Sequence, residues 1–195
     1  DFQNWLSNVW QGGEKAYAQT ENIALTPGSD SADLNFSWYS AGKGTPAVKV
    51  WKDGAKSSAK VVTGNAETIS AENWQGKSYS AANKVNIADY FEENTQYHYQ
   101  YTDNYTGDDS VWSAEYDYTT KATDKFSVIL TGDPQVGASG SSSDYSANDA
   151  SVARDAYNWN KTMQQALKTC PNASFLLSAG DQINQSGATK DNDKK

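Results

Sequence analysis

Cysteine and histidine occur once each in this chain of 195 residues, as Cys170 and His98. A single thiol excludes an intrachain disulfide. Basic charge is scarce as well: 16 Lys and Arg stand against 24 Asp and Glu, a net charge of −8. Such a chain lacks the basic face by which duplex DNA is held, so no nucleic-acid duplex is expected as a partner. No apolar run approaches the roughly 20 residues that cross a bilayer, so no membrane span is expected. No signal peptide is apparent, and the opening at Asp1 without Met reads as a processed or trimmed protein. Aliphatic residues are few, whereas 12 Tyr and 7 Trp are joined by many Ser, Thr, Asn and Gly. That balance suits an extracellular β-rich protein, secreted or at the cell surface, a setting in which bacterial proteins commonly dispense with disulfides.

What is present divides by period, and the length allows one or two domains. In residues 1–20, Trp5, Leu6, Val9 and Trp10 have helical spacing and read as a short amphipathic segment packing on the sandwich that follows. From 21 to 120 the period is two: Leu34, Phe36 and Trp38 alternate with polar neighbours, as do Val48 and Val50, and then Tyr97, Tyr99 and Tyr101. Turn signals at Pro27-Gly28, Gly42 to Gly44, Asp53-Gly54, Gly64-Asn65 and Gly107-Asp108 punctuate the runs. Short strands so spaced predict an antiparallel β-sandwich, with Trp38 as its buried tryptophan. Strand alternation puts His98 on the face opposite Tyr97 and Tyr99, an ordinary sandwich position rather than a ligand. Residues 121–125 are short and polar, and read as a linker.

Residues 126–195 follow a third pattern. Phe126–Leu130 and Phe175–Ala179 are apolar runs of strand length, and Val152, Ala156, Trp159, Met163, Ala166 and Cys170 form one stripe of a helix between them. This predicts a βαβ unit with parallel strands buried on both faces. The helix should begin near Asn148 or Asp149 and stop before Pro171. Cys170, at the end of the stripe, is expected as a small core residue. Val136 to Ala147, rich in Gly and Ser, reads as a flexible connector. Each strand ends in a Gly-Asp pair, Gly132-Asp133 and Gly180-Asp181, where the glycine lets the backbone turn sharply. Ligands collect at the carboxyl ends of such strands. With strands about 4.8 Å apart, two carboxylates delivered there repel unless a proton or cation lies between them. The leading reading is a hard-oxygen metal site.

Gly132-Asp133-Pro134-Gln135 and Gly180-Asp181-Gln182-Ile183-Asn184, separated by a long helix, resemble the first two motifs of calcineurin-like metallophosphoesterases. The upstream region is similar to the fibronectin-type sandwich that precedes the catalytic domain in purple acid phosphatases and related bacterial surface enzymes. Phe91 to Tyr97 resembles the fibronectin Leu-x-Pro-x-Thr-x-Tyr signature, in which the Tyr hydroxyl bonds back to the backbone. Phe91 and Glu93 replace the Leu and Pro of that signature. The resemblance implies hydrolysis of a phosphate ester at two divalent or mixed-valence ions of Mn, Fe or Zn. By it Asp133 binds the first metal, Asp181 bridges both, and Gln135 stands where the family has His, a donor that shifts preference away from zinc. Asn184, just behind these ligands, takes the place of the iron-binding Tyr of purple acid phosphatases, so a colourless protein is expected.

The Asn-His, lone His and Gly-His-x-His motifs do not appear before Lys195. Residues 126–195 are therefore expected to be the N-terminal part of a longer catalytic domain and inactive alone. The remainder is expected as a partner, possibly a nicked second polypeptide. The alternative is a glycan- or protein-binding sandwich with a vestigial α/β segment, which predicts an exposed aromatic row on one sheet face.

Overall fold

The structure, a computed structural model, describes residues 1–5, 23–74, 77–139, 149–182 and 184. Leu6, Val9 and Trp10, most of the Gly/Ser-rich connector, and the polar tail lie outside the described residues. The chain forms two units: Glu21–Lys125, and Phe126–Lys195 together with Asp1–Thr20.

In the first unit, eight strands make two antiparallel sheets. One has the order β1 (Ala24–Pro27), β2 (Leu34–Ser40), β6 (Lys77–Ile87), β5 (Asn65–Trp74); the other runs β4 (Lys60–Thr63), β3 (Ala47–Lys52), β7 (Gln96–Thr102), β8 (Tyr116–Thr119). Leu34, Phe36 and Trp38 of β2, Val48 and Val50 of β3, Val85 and Ile87 of β6, and Tyr97 and Tyr99 of β7 form one core. Period-two alternation put these residues inside and their neighbours out, as the sequence predicts. The chain changes sheet at Gly64, where an added Cβ would lie 1.9 Å from the Lys84 carbonyl oxygen. Only glycine fits that crossing.

Two details of this core were anticipated and one was not. Trp38 is 4% exposed and donates its indole N–H to Asp103 Oδ1 at 2.6 Å. The Tyr97 hydroxyl accepts from the Glu92 N–H at 2.8 Å and donates to the Tyr90 carbonyl at 3.4 Å, closing the corner before β7. Trp51 is the unanticipated one: it points outward from β3 yet is only 2% exposed, covered by His98 and Lys56. The predicted linker begins tied to this unit, since Thr123 donates its backbone N–H and its hydroxyl to Glu93 Oε1.

The second unit contains helix α1 (Phe2–Trp5), strand β9 (Val128–Thr131), helix α2 (Asp149–Thr169) and strand β10 (Phe175–Ser178). Strands β9 and β10 pair in parallel, Val128 opposite Phe175 through Thr131 opposite Ser178. Of the segment 1–20 expected on the sandwich, the described residues 1–5 group with this unit instead. The reason is aromatic: Phe2 and Trp5 lie with ring centroids 5.3 and 5.6 Å from Tyr157 of α2.

Helix α2 begins and ends where its cap and Pro171 predict. Its stripe residues Ala156, Trp159, Met163, Ala166 and Cys170 are half-buried rather than buried. Cys170 is thus not the core residue expected; it lines an open groove with Ile129, Leu130 and Ala166. The strands are barer still: Phe126, Leu130, Phe175, Leu176 and Leu177 are all exposed, Leu130 by 70%. Parallel strands of this composition normally have both faces covered.

Candidate metal site at the strand ends

The parallel pairing of β9 and β10 continues beyond the strands themselves. The Ala179 N–H donates to the Thr131 carbonyl at 2.9 Å, Gln135 N–H to the Asp181 carbonyl at 2.9 Å, and Val136 N–H to the Gln182 carbonyl at 3.1 Å. The Asn184 N–H returns to the Val136 carbonyl at 3.0 Å. These bonds bring the loop holding Asp133 and Gln135 to the same rim as the loop holding Asp181 and Asn184. Asp133 and Asp181 are solvent-exposed, whereas Gln135 and Asn184 are half-buried.

The backbone on this rim is unusual. Gln135 and Asp181 have φ of 40° and 33°, the left-handed region that side chains with a Cβ disfavour. Only two other described non-glycine residues share that region, Asp89 and Asn94, both in the sandwich. Such conformations cost on the order of 1–3 kcal/mol each and gather at binding and catalytic sites. Gly180 has φ of 138°, so the second Gly-Asp pair turns as the sequence suggests. Gly132 does not: among the described glycines the left-handed one in the first loop is Gly137, φ 104°, five residues further on.

Gly137 marks a tether that sequence reasoning missed. The Asp155 carboxylate of α2 accepts the Gly137 N–H at 2.8 Å and the Ser139 N–H at 3.0 Å through one oxygen, Oδ2. The helix therefore holds the loop immediately after Gln135. No motif announces Asp155, because its partners are backbone groups whose position only the fold defines. On the other strand, the Gln182 amide donates to the Ser178 hydroxyl and to the Gly180 carbonyl, bracing the turn before Asp181.

Two carboxylates and one amide oxygen are hard donors, suited to Mn²⁺- or Mg²⁺-like ions more than to zinc. By donor type alone they would make up part of a coordination sphere. Among the described residues no group of three or more His, Cys, Asp and Glu is arranged to hold a metal ion. His98 lies on β7 of the sandwich with carboxylates at both ring nitrogens. Among the sandwich aromatic residues whose burial is described, all are buried or half-buried except Tyr39, which is 57% exposed. No helix of the described residues is long and apolar enough to cross a membrane. No family model matches the chain, and no curated protein matches it either.

Proposed function

We propose that the rim carrying Asp133, Gln135 and Asp181 is the first part of a dinuclear metal centre that hydrolyses phosphate esters. The observation that carries this reading is the pair of left-handed residues, Gln135 and Asp181, joined backbone to backbone at the ends of parallel strands. Turns elsewhere use this region at Asp89 and Asn94; what supports the reading at the rim is that two such residues face one another across a backbone hydrogen bond. Asp133, the Gln135 amide oxygen and Asp181 would hold the ions, Asp181 shared between them, with Asn184 behind these ligands. Divalent ions bound there supply a water of lowered pKa and charge stabilisation for the phosphoryl group. Asp155 keeps the Gln135 loop in place, so the first-ion donors meet the ions without prior reorganisation.

The remaining donors come from a further segment that also covers the bare strands, as the C-terminal part of the same chain or as a second polypeptide. Exposed Leu130, Leu176 and Leu177 support that reading, because apolar parallel strands are ordinarily enclosed. The strand orders β1-β2-β6-β5 and β4-β3-β7-β8, with the Tyr97 corner, support a fibronectin-like identity for the sandwich. Secretion or display at the cell surface goes with that architecture.

The test is cleavage of a chromogenic phosphate ester in Mn²⁺ by the chain joined to its completing segment. Asp181→Asn should abolish turnover, and the 195-residue chain alone should show none. Full activity of the Asp181→Asn variant would remove the residue from the site and the hydrolase reading with it.

A further inference from the structure

His98 lies at the centre of a three-strand row, opposite Trp51 of β3 on one side and Asp117 of β8 on the other. Its ring stacks on Trp51, centroids 5.9 Å apart and 25° from parallel. Its side chain is 16% exposed, and both nitrogens face carboxylates: Nδ1 is 2.7 Å from Asp117 Oδ1 and Nε2 is 3.0 Å from Asp53 Oδ1. Glu115, just before β8, brings Oε1 to 3.5 Å from Nδ1.

Ionised carboxylates only accept hydrogen bonds, whereas a neutral imidazole donates just one. Both contacts therefore require a proton on each nitrogen, and the geometry is that of an imidazolium. The charged neighbours on every packed element are Asp53 after β3, Lys56 in the following 3-10 turn, Glu115 before β8 and Asp117 within it. Lys56 is taken up by Glu115 Oε2 at 2.8 Å and by the Trp51 ring at 5.0 Å. Lys49, two residues back along β3 from Trp51, is occupied by Asp109 at 2.8 Å. Neither lysine replaces the imidazolium between Asp53 and Asp117.

We propose that His98 is a proton-operated clamp that fastens the edge strand β8, from which the chain leaves the sandwich, to the turn after β3. β8 has one neighbouring strand, β7, and four residues of pairing; Tyr116 and Tyr118 pack its inner face on the core, and His98 holds its outer face at Asp117. Loss of the proton leaves a nitrogen lone pair facing a carboxylate and a net repulsion among Asp53, Glu115 and Asp117. The hydrogen bond to Asp53, opposed by desolvation and reinforced by Asp117, holds the imidazolium above its ordinary titration range. A group whose folded pKa is raised contributes fully below its unfolded value, about 6.5. That contribution is lost as pH rises through the folded value. The clamp is closed below the ordinary imidazole range and opens as pH rises through the raised folded value.

As the only histidine, His98 gives a single imidazole signal, and its NMR titration reads the clamp directly. The expected midpoint lies above about 6.5, and Asp53→Asn and Asp117→Asn should each lower it. In the same samples, amide exchange at Tyr116–Thr119 should rise several-fold relative to β3 amides across the midpoint, as the clamp's contribution is lost. His98→Phe should abolish that relative step. A midpoint at or below 6.5, or an equal step in His98→Phe, would overturn the proposal. Should His98→Phe fail to fold, Asp117→Asn, which keeps the ring and the strand, decides it: an unchanged midpoint and step count against the clamp.

Discussion

Phe36 of the sandwich is 1% exposed and Leu130 of the two-stranded sheet is 70% exposed, although Leu130 occupies the more continuously apolar strand and Phe36 an alternating one. The sandwich supplies its own second layer: each inward face meets the other sheet, and Gly64 lets the chain cross between them. The βαβ unit has one helix for two strands, and α2 leaves even its own stripe half-covered. Hydrophobic sequence thus states a demand for burial, and only topology meets it. Backbone strain does not separate the two regions: Gln135 and Asp181 are left-handed at the strand-end rim, and Asp89 and Asn94 in the sandwich, and what distinguishes the rim is that its two are joined by a backbone hydrogen bond.

This contrast can be broken most decisively in the two cores. Phe36→Ala should destabilise the sandwich by about 3–5 kcal/mol, measured by guanidinium denaturation. Leu130→Ala should stay within about 0.5 kcal/mol, the range of exposed positions. Comparable losses would show that the second unit has a core of its own. Next in size, Tyr97→Phe removes the hydroxyl that serves Glu92 and Tyr90. A cost of about 1–3 kcal/mol is expected from the backbone N–H left unpaired, again read from the sandwich transition.

Within the second unit, Asp155→Ala should release Gly137 and Ser139. The expected cost is about 0.5–1.5 kcal/mol for each hydrogen bond lost, seen as faster exchange at those two amides. Exchange unchanged at both would remove Asp155 as the tether. The smallest effect carries the opposite sign. Asp181→Gly relieves a left-handed side-chain residue and should stabilise the unit by up to about 1 kcal/mol, less what glycine gives back in unfolded-state entropy. The same substitution should abolish Mn²⁺-induced NMR broadening at the rim. A variant that is less stable yet still binds would reverse the assignment of strain to function.

Much of the fold was legible because it rests on periodicity. The alternation around Phe36 and Val50, the turns at Gly54 and Gly107, and the helix ending before Pro171 are all local statements, and the structure carries each of them. The Gly-Asp pairs were legible as a candidate site for the same reason, since each directly follows its strand. Trp51 was not, because alternation assigns it to the outer face, and its burial comes from His98 and Lys56 folding over it. Nor was the first loop's left-handed turn, which falls at Gln135 and Gly137 rather than at Gly132.

By itself the sequence determined where strands and a helix form, which side chains face inward, and that two carboxylates end adjacent apolar runs. These follow from spacing along one chain segment, which burial and turn chemistry read directly. Tertiary structure alone decided that Phe2 and Trp5 pack on Tyr157 of α2, that Asp155 grips the Gln135 loop, and that three carboxylates converge on His98. Each of these depends on distances between residues remote in sequence, and such distances exist only once the layers have packed.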